Sequence, residues 1–356
     1  MFIILFFIIL ISLVLIHEFG HFIVAKKNGV RVEEFGIGFP PRIFGIKIGE
    51  TLYSLNLLPL GGFVKLFGEE YHELPENQAQ IHSSKAFVNK KPWQKVSIIV
   101  AGVIAHFLLG WILITYLFTQ GIPSSINKVK VEKVNAQSPA SLAGLQSGDL
   151  ITGLVYKGKT FPITNTDELK KLSTRHAGEK VLFNIETVGK EKKVTIVPRV
   201  VTRPNEGALG IVISQAFIIK KYPLYEAPYY GLKEAATITY KVLGELGRAV
   251  SNLVTTGKTG MDVTGPIGIA RYTKEAAQTS INALIELIAL LALNLAVINI
   301  LPFPALDGGR LIFIIYEWIT KKRVNTNFER YLNLAGFVLL LTLAGVITYH
   351  DIIRFR

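Results

Sequence analysis

Long uncharged stretches alternate with lysine-rich ones along this chain, and that alternation predicts helices that cross a membrane. The first apolar run starts at Met1 and is broken only by Ser12 before it reaches His17-Glu18-Phe19-Gly20-His21; it then continues to Ala25. At about 1.5 Å of rise per residue this is enough to traverse a hydrocarbon core of about 30 Å. Further spans are expected at 96–119, at 281–301 with Glu286 near its start, and at 332–349, which holds no charge. The first run has neither a basic leader nor a small-residue cleavage site, so a retained anchor is expected rather than a removed signal peptide.

Composition agrees with this picture and narrows the chemistry. Half of the 356 residues are hydrophobic and 18% are charged, against roughly 25% charged in ordinary soluble domains. Mean hydropathy is +0.39. Disorder, collagen and coiled coil are excluded. The sequence contains no cysteine, which rules out disulfides, thiolate metal sites and a cysteine nucleophile; any metal must sit on His, Asp or Glu. The formal charge of +13 is spread over several loops with no concentrated basic arm, so no nucleic-acid partner is expected and the lipid bilayer is.

Orientation follows from the short loops. Lys26, Lys27, Arg31, Lys90, Lys91 and Lys95 lie between the first two spans, and Lys321, Lys322, Arg323 and Arg330 between the last two. Both loops are expected on the cytoplasmic side. Residues 120–280 are then extracytoplasmic, their own lysines being no objection because long translocated segments largely escape the rule. Within the first loop, residues 51–66 (TLYSLNLLPLGGFVKL) combine β-branched and aromatic positions with a kink at Gly61-Gly62. They read as a strand pair, either re-entering the membrane against protein or a wet cavity or forming a hairpin on the cytoplasmic surface.

The long segment carries strand patterns at 129–134, 181–186 and 193–197, with helical patterns at 139–143 and 166–173. Residues 225–254 read as an amphipathic helix, placed on the outer membrane face or in a bundle. Residues 135–152, NAQSPASLAGLQSGDLIT, resemble the core signature of a PDZ domain, which implies strand addition of a peptide to a sheet edge or a filter by size. A carboxylate-binding loop is not recognisable, the nearest candidate being 121–125.

Chemistry concentrates inside the spans. His17-Glu18-Phe19-Gly20-His21 is an HExxH pattern; on a helix its histidines, at i and i+4, share one face, and the adjacent carboxylate can reach a water at a shared zinc ion. Three ionisable groups in one apolar span persist mainly where they pair or bind something. Catalytic zinc ordinarily has three protein ligands, and Asp307 is the expected third. It lies in 294–310, NLAVINILPFPALDGGR, where two prolines break the helix and a carboxylate and a glycine pair follow, the form a metal site takes at membrane depth.

Taken together, HEFGH, the NxxPxPxLDGG run, the PDZ signature and the GETLYSLNLLPLGGFVKLFGE loop resemble the bacterial site-2 protease family, intramembrane zinc metalloproteases of the regulator of sigma-E protease type, over essentially the whole chain. The resemblance implies zinc on His17, His21 and Asp307 and Glu18 as catalytic base. It also implies Asn294 and Asn299 beside the substrate backbone, and Gly61 and Gly62 in a re-entrant β element that presents an unwound substrate. Gly265-Pro266-Ile267-Gly268 matches a segment that precedes the third span in the family. Where members commonly have Gly-Pro-x-x-Asn-Phe in the second span, this chain has Gly102-Val103-Ile104-Ala105-His106-Phe107. That histidine is read as a satisfied structural group, a metal ligand or a proton carrier. Only one PDZ domain fits, where known members carry two.

The expected fold is therefore a polytopic α-helical membrane protein of about four transmembrane helices, with a re-entrant β-hairpin and an inserted extracytoplasmic PDZ (α+β) domain. Its parts are an N-terminal membrane part (1–120), the PDZ domain (121–203), a helical linker (204–280) and a C-terminal membrane part (281–356). The implied function is zinc-dependent hydrolysis of transmembrane segments such as those of single-span anti-sigma factors or remnant signal peptides, after an upstream site-1-type protease has trimmed them. The setting would be the bacterial inner membrane. A catalytically silent scaffold that binds partner tails through its PDZ domain is the alternative, disfavoured because Glu18 and all three expected ligands are present.

Overall fold

The computed structural model describes residues 2–69, 84–187, 189–201, 206–256 and 264–354. Along the chain come α1 (Phe2–Lys27), β1 (Val32–Ile48), β2 (Thr51–Leu66), α2 (Pro92–Gln120), β3 (Ile122–Val134), α3 (Pro139–Leu142), β4 (Leu150–Tyr156) and β5 (Lys159–Pro162). There follow α4 (Thr166–Arg175), β6 (Val181–Thr187), β7 (Lys190–Ile196), β8 (Ile211–Lys220), α5 (Ala227–Thr256), α6 (Pro266–Thr279), α7 (Ile281–Ile300), α8 (Asp307–Thr320) and α9 (Thr326–Arg354). The chain divides into two compact units, residues 1–119 with 223–356, and residues 120–222.

In the first unit, α1, α2, α7 and α9 are long and apolar enough to cross a membrane, matching the four expected spans. This is a multi-pass membrane protein. The helix α9 extends beyond 332–349 at both ends, because the apolar pattern marks what suits lipid and polar flanks continue the same backbone ladder. The helix α1 stops where Gly29 takes φ +66° and Val30 N–H returns to Ala25 O at 2.9 Å, a left-handed glycine closure. Helix α9 is tied to the segment before the third span by Asp351, which accepts from Gly268 N–H at 2.8 Å. This bond caps α6, which opens at the Gly265-Pro266 pair with proline in the first turn, where its missing N–H costs nothing. The amphipathic helix α5 packs beside spans: Trp111 Nε1 donates to Pro228 O at 2.9 Å.

The β element corrects one expectation. Residues 51–66 were expected to pair with themselves; instead their two halves flank a third strand. Phe35 is registered against both Val64 and Tyr53, and Gly36 against both Phe63 and Ser54. The 32–39 half of β1 therefore lies between the halves of β2, while 42–48 pairs outside 51–56. A kink at Gly61-Gly62 splits a strand, but it cannot tell which neighbour each half will take, because register is a non-local property. The element carries a run of exposed apolar side chains, Phe39, Ile43, Phe44, Ile46, Leu57 and Leu58.

In the second unit the strand order is β7-β6-β4-β3-β8, with β5 on β4, around an apolar core that includes Val131, Ile151, Leu154, Leu169, Phe183 and Ile185. Ser138 caps α3 by accepting from Ser141 N–H at 3.1 Å, as expected where Ser-Pro-Ala opens a helix. Asn165 caps α4 through Glu168 N–H at 2.9 Å, and Glu168 reaches back to Thr164 N–H and its hydroxyl, both at 2.8 Å, a variant of the capping box. Those bonds hold the Glu168 carboxyl below its ordinary pKa.

Here too a boundary moves. The linker was expected from 204, but β8 lies within it and pairs antiparallel with β3 from Ile122/Lys220 to Val134/Ile211. The unit thus runs to residue 222, and the boundary drawn at 203 falls outside the described residues. The strand β8 is a sheet edge and packs against α4; residues 122–125, in the stretch named as the nearest candidate for a carboxylate-binding loop, pair with 217–220 of β8.

Candidate active site

The HExxH residues sit on α1, where a run without proline keeps the helix regular through His17 and His21. Their Nε2 atoms are 3.0 Å apart. From the other side of the sequence, α7 ends at Ile300, the Pro302 and Pro304 segment turns, and Asp307 enters at the first turn of α8. A carboxylate is favoured at that helix start. The turn is tight enough to require the glycine pair: a Cβ on Gly308 would run into the carbonyls of Ile300 and Leu301, and one on Gly309 into that of Phe303.

Asp307 Oδ2 lies 3.0 Å from His17 Nε2 and 3.3 Å from His21 Nε2. The three atoms belong to the one group of His and acidic side chains able to share an ion among the described residues. Their separations match the edges of a tetrahedron with metal bonds of about 2.0–2.1 Å, whose corners lie about 3.3 Å apart. Two further observations fit a cation. His21 Nδ1 is 2.8 Å from Ile98 O, so the hydrogen of a neutral ring sits there and Nε2 presents a lone pair. Asp307 Oδ2 is buried without a hydrogen-bond partner, a state that costs free energy unless something positive meets it.

Helix α2 reaches the site through a glycine. A Cβ on Gly102 would stand 2.6 Å from His17 Cε1 and would also clash with His21 Nε2. On α1 the small residue is Gly20, whose added Cβ would lie 2.5 Å from Ala101 O. Close approach of two helices through small residues is how membrane bundles pack. His106, one turn after Gly102, is buried, with its ring centroid 4.9 Å from that of His17.

Glu18 lines a cavity of about 210 Å³ with His21, Asp307, Phe63, Glu69 and Arg310. Glu69 and Arg310 are ion-paired across its wall. The β element closes another side, since a Cβ on Gly62 would be 3.8 Å from Glu18 Cγ. Gly61, at φ +149°, lies against the Phe39 ring and Val14. The structure thus brings together His17, Glu18, His21, Asp307 and Gly62. Asn294 and Asn299 are half-buried on α7 and are not among the residues lining this cavity. In the sequence Gly102 was read only as a motif position, and Glu69 and Arg310 only as members of longer runs, none of them as part of the site. A glycine amid the apolar residues of the second span, and a cation three residues after Asp307, were the available signals.

Known proteins resemble this chain along nearly its whole length. The sequence profile described as Peptidase family M50 matches residues 5–343. A protein of Clostridium acetobutylicum named as a candidate zinc metalloprotease is 34% identical over 342 residues, 96% of this chain and 94% of its own length. The zinc metalloprotease RasP of Geobacillus kaustophilus is 28% identical over 419 aligned positions, covering 97% of this chain and 96% of its own. That alignment is longer than the 356 residues here, so RasP holds stretches with no counterpart in this chain. Among solved structures, the PDZ domain of an SdrC-like protein from Listeria monocytogenes is similar at a TM-score of 0.21 and 22% identity, covering 26% of this chain and 93% of that one.

Proposed function

The chain belongs to peptidase family M50 and is a zinc metalloprotease of that family, and on that premise we propose that it hydrolyses peptide bonds inside the membrane-spanning segments of other proteins. The observation that carries this reading is the convergence of His17, His21 and Asp307 within 3.0–3.3 Å on helices that include a membrane span, with Glu18 beside them. Those three residues would hold the zinc ion. Zinc supplies Lewis acidity there, polarising a carbonyl and making water a usable nucleophile at neutral pH.

The chain's own residues do the rest. Glu18 takes the proton of the attacking water and returns it to the leaving nitrogen, a transfer its place in the cavity wall permits. Ile98 O orients His21 so that Nε2 faces inward. The exposed apolar side chains of the β1–β2 sheet suit a re-entrant element immersed in lipid, and residues 61–66 form its edge near Glu18. A substrate helix must unwind before its carbonyls are free, and strand addition at that edge would hold it open. Asn294 and Asn299 are proposed to bind the opened backbone.

Single-span proteins such as anti-sigma factors and remnant signal peptides are the proposed substrates, presented after an upstream site-1-type protease has shortened them. The unit 120–222 is read as a PDZ domain on the extracytoplasmic side of a bacterial cell membrane, limiting access by size or by binding a peptide at β8. The test is a tagged single-span substrate incubated with the purified protein in detergent. Cleavage within the apolar segment, abolished by a chelator and restored by zinc, is expected. Products cut only in the polar flanks would contradict the proposal.

A further inference from the structure

The two histidines of the motif differ in how their rings are held. His21 has a second anchor, Nδ1 to Ile98 O at 2.8 Å. His17 turns Nε2 toward the same site, yet its Nδ1 is buried with no hydrogen-bond partner among the described residues. A histidine that ligates a metal through Nε2 carries its hydrogen on Nδ1 and almost always donates it, which fixes tautomer and ring orientation.

His106 offers the missing complement. It is 1% exposed, and its ring stands 4.9 Å from that of His17, tilted by 38°. Its Nε2 is 2.9 Å from Leu13 O. A carbonyl only accepts, so this nitrogen carries the hydrogen of the neutral ring and Nδ1 is left as a bare acceptor. That Nδ1 is also buried without a partner. One unpaired donor and one unpaired acceptor thus occupy neighbouring rings in a region where either alone would be expensive.

We infer that one buried water accepts the Nδ1–H of His17 and donates to His106 Nδ1, so that His106 positions that ligand for the metal. The inference rests on the zinc reading above. His106 acts through His17 and is not itself a ligand, since the converging group of ligand atoms comprises His17, His21 and Asp307. The relay is anchored in α1 itself, because Leu13 precedes His17 by one helical turn. Helix α2 can deliver the ring because Gly102, one turn earlier, lets the two helices close up.

The experiment compares the full-length wild type, His106→Leu and His106→Asn in detergent. Zinc affinity is measured by chelator competition, the visible spectrum is recorded after substitution with Co²⁺, and folding is monitored by gel filtration and melting. Leucine removes the acceptor; asparagine keeps one in Oδ1. The expected result is a zinc affinity roughly 10–100-fold weaker in His106→Leu with altered cobalt bands, and recovery of most of the affinity and of the wild-type bands in His106→Asn. If the leucine variant does not fold, His106→Met carries the same comparison. Unchanged affinity and bands in the leucine variant would overturn the inference while leaving the zinc site standing. Loss of metal in both variants would overturn it differently, by making His106 a ligand. A wild type that binds no zinc would overturn the underlying reading and this inference with it.

Discussion

Two carboxylates, the buried Asp149 of one unit and the half-buried Asp307 of the other, separate what holds the fold from what performs the chemistry. Asp149, in the inserted unit, is saturated: Gln146 N–H reaches Oδ2 at 2.9 Å and the Thr187 hydroxyl reaches Oδ1 at 2.6 Å. Asp307, in the membrane unit, leaves Oδ2 buried without a hydrogen-bond donor, with two imidazole nitrogens converging beside it. A satisfied buried polar group fixes a turn. An unsatisfied one, held open by backbone that tolerates no Cβ at Gly102, Gly308 or Gly309, is a site waiting for charge. The inserted unit is built to have no such group at Asp149, whereas the membrane unit concentrates three orphaned atoms, on His17, His106 and Asp307, in one place.

That contrast can be broken most forcefully at Asp307. Asp307→Ala removes one of the three ligands proposed for the metal, and zinc affinity should fall by more than the roughly 10–100-fold that loss of an outer-shell partner costs, with cleavage lost; stoichiometric zinc in this variant, read by metal analysis after dialysis, would dissolve the distinction. Next in size is Gly102→Ala. Its Cβ would press on both histidines, overpacking worth about 1–3 kcal/mol, so zinc content and cleavage should drop together while the protein still purifies as a folded species.

Asp149→Ala should act in the other direction. Stranding Gln146 N–H and the Thr187 hydroxyl is expected to destabilise the inserted unit by about 1–3 kcal/mol, seen as faster hydrogen exchange in its strands, with zinc content as in wild type. Coupled loss of zinc would show that the two carboxylates do not belong to separable functions. The smallest effect is a pH dependence. Because Thr164 holds the Glu168 pKa low, the stability it gives is present above the ordinary carboxylate pKa of about 4.3 and is lost as pH falls through the lower folded value. Protection of the amides at the start of α4, taken relative to their intrinsic exchange rate at each pH, should therefore fall in acid, and Glu168→Gln should flatten that response.

The sequence made the chemistry more legible than the architecture around it. His17, Glu18 and His21 were readable because helical spacing alone puts the histidines on one face, and Asp307 because prolines and glycines around a carboxylate at membrane depth have few other uses. Gly102 could not be read as a contact, since nothing in one span's sequence fixes which face of it another helix will cross. The β element showed strands and a kink but not that 32–39 would lie between the halves of 51–66. No strand was expected at 211–220, which fell in the helical linker; its partner, β3, lies more than seventy residues earlier, and local pattern carries no information about such pairing. His106 stood out as a residue, but its relation to His17 depends on tautomers that only Leu13 O and the packed rings reveal.

The central claim, that Glu18 works as the base beside a zinc ion held by His17, His21 and Asp307, is tested most directly by measuring zinc content and cleavage of a tagged single-span substrate for the wild type and Glu18→Gln side by side. The account predicts one zinc per chain in both proteins and a cleavage rate lower by about 10²–10⁴-fold in the variant. Cleavage by Glu18→Gln at the wild-type rate would contradict it.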